Sequence, residues 1–123
     1  MSVILVDEAT DRDFPVNGWN WGVLHALVER NGVLPTARWA RARSPGCGGW
    51  LEPRDVRVLV HVLAGVLEQL GPGDRIDHDL EITGAPREPD LRPDAPQNDC
   101  LERPVLEAIV GFLRAAGGAV PIL

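Results

Sequence analysis

The apolar positions near the start of the chain follow one face of an α-helix. The residues that recur at helical intervals are Trp21, Leu24, Leu27 and Val28. This spacing is typical of an amphipathic helix. Asn17 is a favourable N-cap before it, and the Asn31–Gly32 pair supplies a C-terminal stop. The pattern predicts a first helix over about 18–31 with Trp21 in the core, whereas Trp19 points away from the apolar stripe.

Two later segments predict further helices. Residues 53–70 carry a continuous apolar stripe and begin with a proline, which suits the first helical position. Residues 103–116 have a second apolar face, and Pro104 again fits the start. Residues 36–43 favour a helical turn that places Trp39. The sequence therefore predicts three principal helices, over about 18–31, 53–70 and 103–116.

The remaining apolar segments are short and predict a small β element. Residues 3–6 are a β-branched run, and residues 75–83 alternate between apolar and polar side chains, as expected of one strand with a solvated face. Residues 119–123 read as an extended end that pairs with either segment. Residues 7–17 and 44–50 read as loops because they are polar or rich in glycine. The predicted fold class is α+β, mainly α, in a single domain over 1–123.

Charge is distributed unevenly along the chain. The net charge is −6, and residues 74–102 carry nine acidic residues against three arginines, so this segment accounts for the whole excess. Within it, residues 84–98 contain four prolines and predict an extended acidic loop. An acidic protein lacks the basic surface that phosphate groups require, which argues against nucleic acid and anionic membranes as partners.

Membrane and secretion signals do not stand out in the sequence. No apolar run approaches the roughly 20 residues that a membrane-spanning helix needs. The first residues lack the basic region of a secretory signal and turn acidic by Asp7. A cytoplasmic location is therefore expected.

Candidate catalytic and metal-binding motifs are weak. The histidines and cysteines do not share helical ligand spacing, and no nucleotide-binding or nucleophile motif occurs. Asp77 and Asp79 would point away from His78 on a strand, so they cannot orient its imidazole. The sequence predicts no metal site, no cofactor and no catalytic residue.

Candidate binding residues are aromatic, basic or acidic side chains without an obvious structural role. We select Trp19, Trp39, Trp50, His61, Arg57, Asp77, Asp79 and Glu81. Tryptophans beside arginines suit an aromatic or carboxylate ligand. His61 and Arg57 share the polar side of the second predicted helix, and the three acids lie in the acidic segment.

Several short motifs resemble a family of small bacterial proteins of uncharacterised function. The motifs are Asn17 before Trp21, Gly32–Val33–Leu34–Pro35, Gly48–Gly49 leading into residues 53–70, and Phe112–Leu113–Arg114 followed by Gly117–Gly118. Ala119 departs from the pattern, in which an aromatic residue often follows the two glycines. Proteins of this kind are similar in size and style to toxin-immunity proteins. The resemblance implies no catalytic residues.

Three functional hypotheses remain after these observations. The first is a non-catalytic protein-interaction module, such as an immunity-type inhibitor of a bacterial toxin, with a basic protein as partner. The second is a small-molecule-binding protein with a pocket lined by tryptophan and arginine. The third is an enzyme that uses Cys47 or the histidines. The sequence leaves open homo-oligomerisation and an internal role for the acidic segment, which would then cover Arg38, Arg41, Arg43, Arg54 and Arg57.

Overall fold

The computed structural model describes residues 2–86, 92 and 98–123. The elements in these ranges are β1 (Ser2–Asp7), β2 (Arg12–Asn17), α1 (Gly18–Asn31), α2 (Thr36–Arg41), β3 (Gly49–Leu51), α3 (Pro53–Glu68), β4 (Arg75–Asp77), β5 (Ile82–Thr83), β6 (Cys100–Glu102), α4 (Arg103–Ala115) and β7 (Val120–Ile122). Most of the predicted acidic loop over 84–98 lies outside the described residues.

Two antiparallel sheets organise the described part of the chain. The first has the strand order β2-β1-β7-β3, and the second has the order β5-β4-β6. Of the described residues, 45% are helical and 23% lie in strands. The predicted mainly α class with a small β element is therefore wrong, because the protein is an α+β fold with four helices and two sheets in the described ranges.

The strands that the sequence did not predict lack a local signal. Residues 12–17 were expected to be a loop because they are polar and contain Pro15. They instead form β2, where Pro15 lies opposite Ile4 at the edge of the first sheet. Proline is tolerated on an edge strand because the missing N–H need not bond to a further strand. β3 and β6 have three residues each, too few to show a period.

The predicted strand over 75–83 is a hairpin instead. β4 and β5 pair antiparallel, with Arg75 opposite Thr83. The turn between them is closed by the N–H of Leu80, which donates to the carbonyl of Asp77 at 2.8 Å. Leu80 has a φ of 66°, which is unusual for a residue with a side chain. The alternation of apolar and polar residues continues through this turn. The pattern therefore gave no sign that the chain reverses direction between β4 and β5.

The three principal helices lie close to their predicted positions. α1 spans the predicted residues, and the side chain of Asn17 caps it by accepting from the N–H of Asn20 at 2.9 Å. α3 and α4 pack together, and α2 is the predicted helical turn within 36–43. Buried leucines and isoleucines from helices and strands form one core, including Leu24, Leu59, Leu63, Ile76, Leu106 and Ile109.

The end of the chain closes the first sheet. β7 lies between β1 and β3, with Leu5 opposite Ile122. The backbones of Ile4 and Leu123 exchange hydrogen bonds of 3.0 and 2.8 Å. The extended end therefore pairs with the first strand rather than with residues 75–83.

Asp7 connects the turn after β1 to the segment that follows α4. Its carboxylate accepts hydrogen bonds from the hydroxyl of Thr10 at 2.9 Å and from the N–H groups of Ala9 at 3.1 Å and Gly117 at 3.3 Å. Burial raises the pKa of Asp7, but these hydrogen bonds and the charge of Arg12 outweigh it. The pKa therefore lies below its ordinary value of 3.8.

Candidate functional site

An open groove runs along α1, from Gly18 to Glu29. Its volume is about 920 Å³, and its walls come from the start of β1, from α1, from the segment after α2, and from His78 and Asp99. The polar side chains that line it are Ser2, Asn17, His25, Glu29, Arg43, Ser44, His78 and Asp99. This volume lies within the range of roughly 300–1,000 Å³ that ligand sites occupy.

Asn20 positions the groove by fastening α1 to the second sheet. Its side chain is buried, and its Oδ1 accepts a hydrogen bond from the N–H of Glu102 at 2.9 Å. Its Nδ2 donates to Oδ1 of Asn17 at 3.0 Å. Both ends of the amide are thus satisfied, as burial requires. The same contact brings β6, and with it Asp99, against the start of α1.

Trp19 and Trp21 have opposite environments. Trp19 is 43% exposed and lines the groove. Trp21 is only 3% exposed, and its indole N–H donates to the carbonyl of Ala42 at 2.7 Å. Trp19 is therefore the exposed tryptophan of the groove, whereas Trp21, which also lines it, is a core residue that fixes the segment after α2.

Asp99 also lines the groove, and its carboxylate lies close to α1. Its Oδ2 would be 3.2 Å from a Cβ atom added to Gly22, so a larger residue at that position would crowd the carboxylate. Burial raises the pKa of Asp99 above its ordinary value of 3.8, and the charge of His78 partly opposes this shift. A partly desolvated carboxylate of this kind interacts favourably with a cation that replaces the lost water.

Trp39 does not line the groove because it belongs to the core. It is 4% exposed, and its ring stacks on the imidazole of His25 with a centroid distance of 4.8 Å. The Trp39 indole donates to the carbonyl of His25 at 3.0 Å, and Nε2 of His25 lies 2.7 Å from the carbonyl of Trp39. Because a carbonyl only accepts, Nε2 must carry the proton. This reciprocal pair fastens α2 to α1.

Trp50 is on β3, outside the groove. It is 38% exposed, and the guanidinium of Arg38 lies over its ring at 5.6 Å from the centroid. Arg38 also forms ion pairs with Glu52 at 3.2 Å and with Asp55 at 2.6 Å. The structure therefore does not bring Trp19, Trp39 and Trp50 into a common pocket, and Arg38 is occupied by acids of its own chain.

Arg57 and His61 are exposed residues of α3, away from the groove. Arg57 lines a smaller cleft between α3 and the end of α4, which His61 does not line. No atom outside the local helix lies within 4 Å of a Cβ added to Gly65. This side of α3 is therefore open to solvent next to His61.

The acidic candidates Asp77, Asp79 and Glu81 lie in the hairpin of β4 and β5. Asp77 forms an ion pair of 2.9 Å with Arg75, and Oδ1 of Asp79 accepts from the N–H of Glu81 at 3.1 Å. Asp79 and Glu81 are exposed. Among the residues that the structure describes, no group of three or more histidine, cysteine or acidic side chains is arranged to hold a metal ion.

Sequence reasoning did not select Glu29 and Asp99 as site residues. Glu29 lies on the polar face of α1, where a solvated charge is ordinary. Asp99 is almost eighty positions from Gly22, and its approach to α1 depends on the pairing of β6 with β4. The spacing between Asp99 and Glu102 is that of a helix capping box, which does not suggest a binding role. No local pattern could have revealed that these acids share a groove with Trp19.

Comparison with known proteins adds no assignment: no protein-family model, curated protein or solved structure matches the chain. In the part of the chain that the structure describes, none of the helices has the length and apolar character needed to cross a membrane.

Proposed function

We propose that this protein is a non-catalytic interaction module that binds a basic protein partner in the groove along α1. The observation that carries the proposal is the position of exposed Trp19 in the same groove as partly buried Asp99. An indole face and a carboxylate together suit an arginine or lysine side chain, since both attract cations. Exposed tryptophans are also frequent energetic centres of protein interfaces.

The charges around the groove support a basic partner. Glu29 and Asp99 line it, and the exposed acids Asp79 and Glu81 lie in the hairpin that carries His78. Acidic surfaces accelerate the capture of basic proteins and disfavour acidic ones. Arg43 also lines the groove, so the partner surface that we expect is predominantly, not uniformly, basic.

The described residues include only some acids of the acidic segment, so their ion pairs do not decide whether the segment faces outward. Within 74–102, Asp77 pairs with Arg75 of the same segment. Arg38 pairs with Glu52 and Asp55, which lie outside it. An internal role for the segment would bring its acids to Arg38, Arg41, Arg43, Arg54 and Arg57. Among the described residues, no ion pair joins the segment to these arginines.

The specific form of the proposal is an immunity-type inhibitor, in which the partner is a toxin. The motif resemblance supports this form. A small-molecule site lined by tryptophan and arginine is less well supported, because Trp39 is buried and Trp50 lies outside the groove. Catalysis by Cys47 is also less well supported, since its exposed thiol donates to the carbonyl of Pro45 at 3.8 Å, which is not a base that would activate it.

The test compares capture of host proteins by immobilised wild-type protein and two matched variants. Trp19→Ser removes the exposed indole in the groove, and Trp50→Ser removes an indole of similar exposure elsewhere. We expect a basic protein to bind the wild type and Trp50→Ser but to be lost from Trp19→Ser. Asp99→Asn should weaken the binding, and added salt should weaken the wild-type complex because surface charges are screened.

Two results would contradict the proposal. One is equal capture by Trp19→Ser and wild type. The other is capture that does not respond to salt or to Asp99→Asn. Stabilisation of the protein by a small molecule in a thermal-shift screen, with loss of the effect in Trp19→Ser, would favour a ligand site in the same groove.

A further inference from the structure

A second cleft lies between the first turns of α3 and the end of α4. Its volume is about 370 Å³. Its apolar surface comes from Pro53, Val56, Val60, Leu113 and Ala116, with Gly117 and Gly118 at one side. The charged side chains that line it are Arg57 and Arg114, and no acidic residue is among its lining residues.

Among the described residues, neither arginine of this cleft forms an ion pair with an acidic side chain. The whole chain has eighteen acidic residues and twelve arginines. In the described ranges, ion pairs join Arg38, Arg75 and Arg103 to acidic side chains, and none joins Arg57 or Arg114. Both arginines of the cleft are exposed, so their N–H groups are accessible to an anion.

Helix dipoles do not account for the charge of this cleft. The N-terminal end of α3 and the C-terminal end of α4 meet here, and their partial charges have opposite signs. The positive charges that line the cleft are therefore those of the two guanidinium groups. Guanidinium groups bind carboxylates through paired, directional hydrogen bonds.

We propose that this cleft binds a small carboxylate with a compact apolar body, such as an aryl carboxylate. The carboxylate would lie between Arg57 and Arg114, and the apolar body would pack on Val56, Val60 and Leu113. A volume of about 370 Å³ is at the small end of ligand sites. Inorganic phosphate satisfies the arginines but leaves the apolar surface exposed to water, so the cleft should prefer the carboxylate.

The test is a titration of isotope-labelled protein with benzoate, followed by amide chemical shifts. We expect saturable shifts around Val60 and Leu113. Benzamide, which has the same shape without the charge, should bind roughly tenfold more weakly, because hydrogen bonds to a charged group are the stronger ones. Inorganic phosphate should also bind more weakly than benzoate.

Matched variants test whether Arg57 and Arg114 bind the carboxylate. Arg57→Gln and Arg114→Gln should each reduce benzoate affinity by about fivefold to tenfold. Arg54→Gln is the control, because Arg54 is an exposed arginine of the same helix that does not line the cleft, and it should retain the wild-type affinity. The spectra report directly whether each variant is folded.

Four outcomes would overturn the proposal. Three of them are the absence of saturable shifts at roughly 10 mM benzoate, equal binding of benzoate and benzamide by the wild type, and an equal loss of affinity in Arg54→Gln and Arg57→Gln. Equal binding of phosphate and benzoate would also overturn it, because the apolar surface would then have no role. None of these results depends on whether the groove at Trp19 binds a protein.

Discussion

Trp19 and Trp21 lie in one turn of α1, but their replacement should have different energetic costs. Trp21 is buried and donates to the carbonyl of Ala42, whereas 43% of Trp19 is exposed. We predict that Trp21→Ala lowers the free energy of unfolding by about 4 kcal/mol, in the range observed for buried aromatic residues. Trp19→Ala should lower it by at most about 2–3 kcal/mol.

The magnitudes follow from buried area and hydrogen bonding. A buried tryptophan removes roughly 150–250 Å² from water, worth about 4–6 kcal/mol as an upper estimate. Truncation of Trp21 also leaves the Ala42 carbonyl without its indole donor, which costs about 1–3 kcal/mol for a buried group. Because 43% of Trp19 is exposed, the contribution of its buried area is only about half of that of a fully buried tryptophan. Truncation of the Trp19 side chain also opens no enclosed cavity.

Urea unfolding followed by far-ultraviolet circular dichroism measures both losses. Tryptophan fluorescence is unsuitable because each variant removes one of the four indoles in the chain. Trp21→Phe keeps an aromatic ring but removes the indole N–H. Its free energy of unfolding should therefore lie between those of the wild type and Trp21→Ala. Equal losses for Trp19→Ala and Trp21→Ala, at unchanged denaturant slope, would show that the side chains of α1 do not face the core as described.

Three further predictions concern other contacts. Arg38→Ala should cost about 3 kcal/mol in unfolding free energy, because it leaves the nearly buried carboxylate of Asp55 without its cation. Gly49→Ala should destabilise the protein by about 1–3 kcal/mol, since the added Cβ would lie 2.7 Å from the backbone of Ala42. Gly65→Ala should instead stabilise the protein by about 0.5–1 kcal/mol, because Gly65 is at an open position of a helix. Because the pKa of Asp7 is lowered by folding, its contribution is present above pH 3.8 and is lost as the pH falls through the folded-state pKa.

Denaturant titrations check these three predictions. Asp7→Asn should remove part of the stability loss that the wild type shows below pH 3.8, and an unchanged pH profile would contradict the assignment. Arg38→Ala with wild-type stability would mean that the ion pair contributes nothing to folding. Gly49→Ala and Gly65→Ala with the same sign of effect would contradict the close approach at Gly49.

The candidate site could be predicted only in part. The separation of Trp19 from Trp21 follows from helical period alone, because side chains two positions apart on a helix point in different directions. The burial of Trp39 could not be predicted, since its indole bonds to the carbonyl of His25 on another helix. A six-residue helix has too few positions to indicate which side is covered.

Local periodicity and capping residues were sufficient to predict α1, α3 and α4, because helix hydrogen bonds join residues four positions apart. The same sequence did not indicate β2, β3 or β6, since strand pairs join distant segments and each of these strands is short or contains proline or glycine. The acidic excess of residues 74–102 is likewise a property of the sequence. Only the tertiary structure decided that Asp99 lies against α1 in the groove with Trp19, because the contact depends on the second sheet and on the hydrogen bond between Asn20 and Glu102.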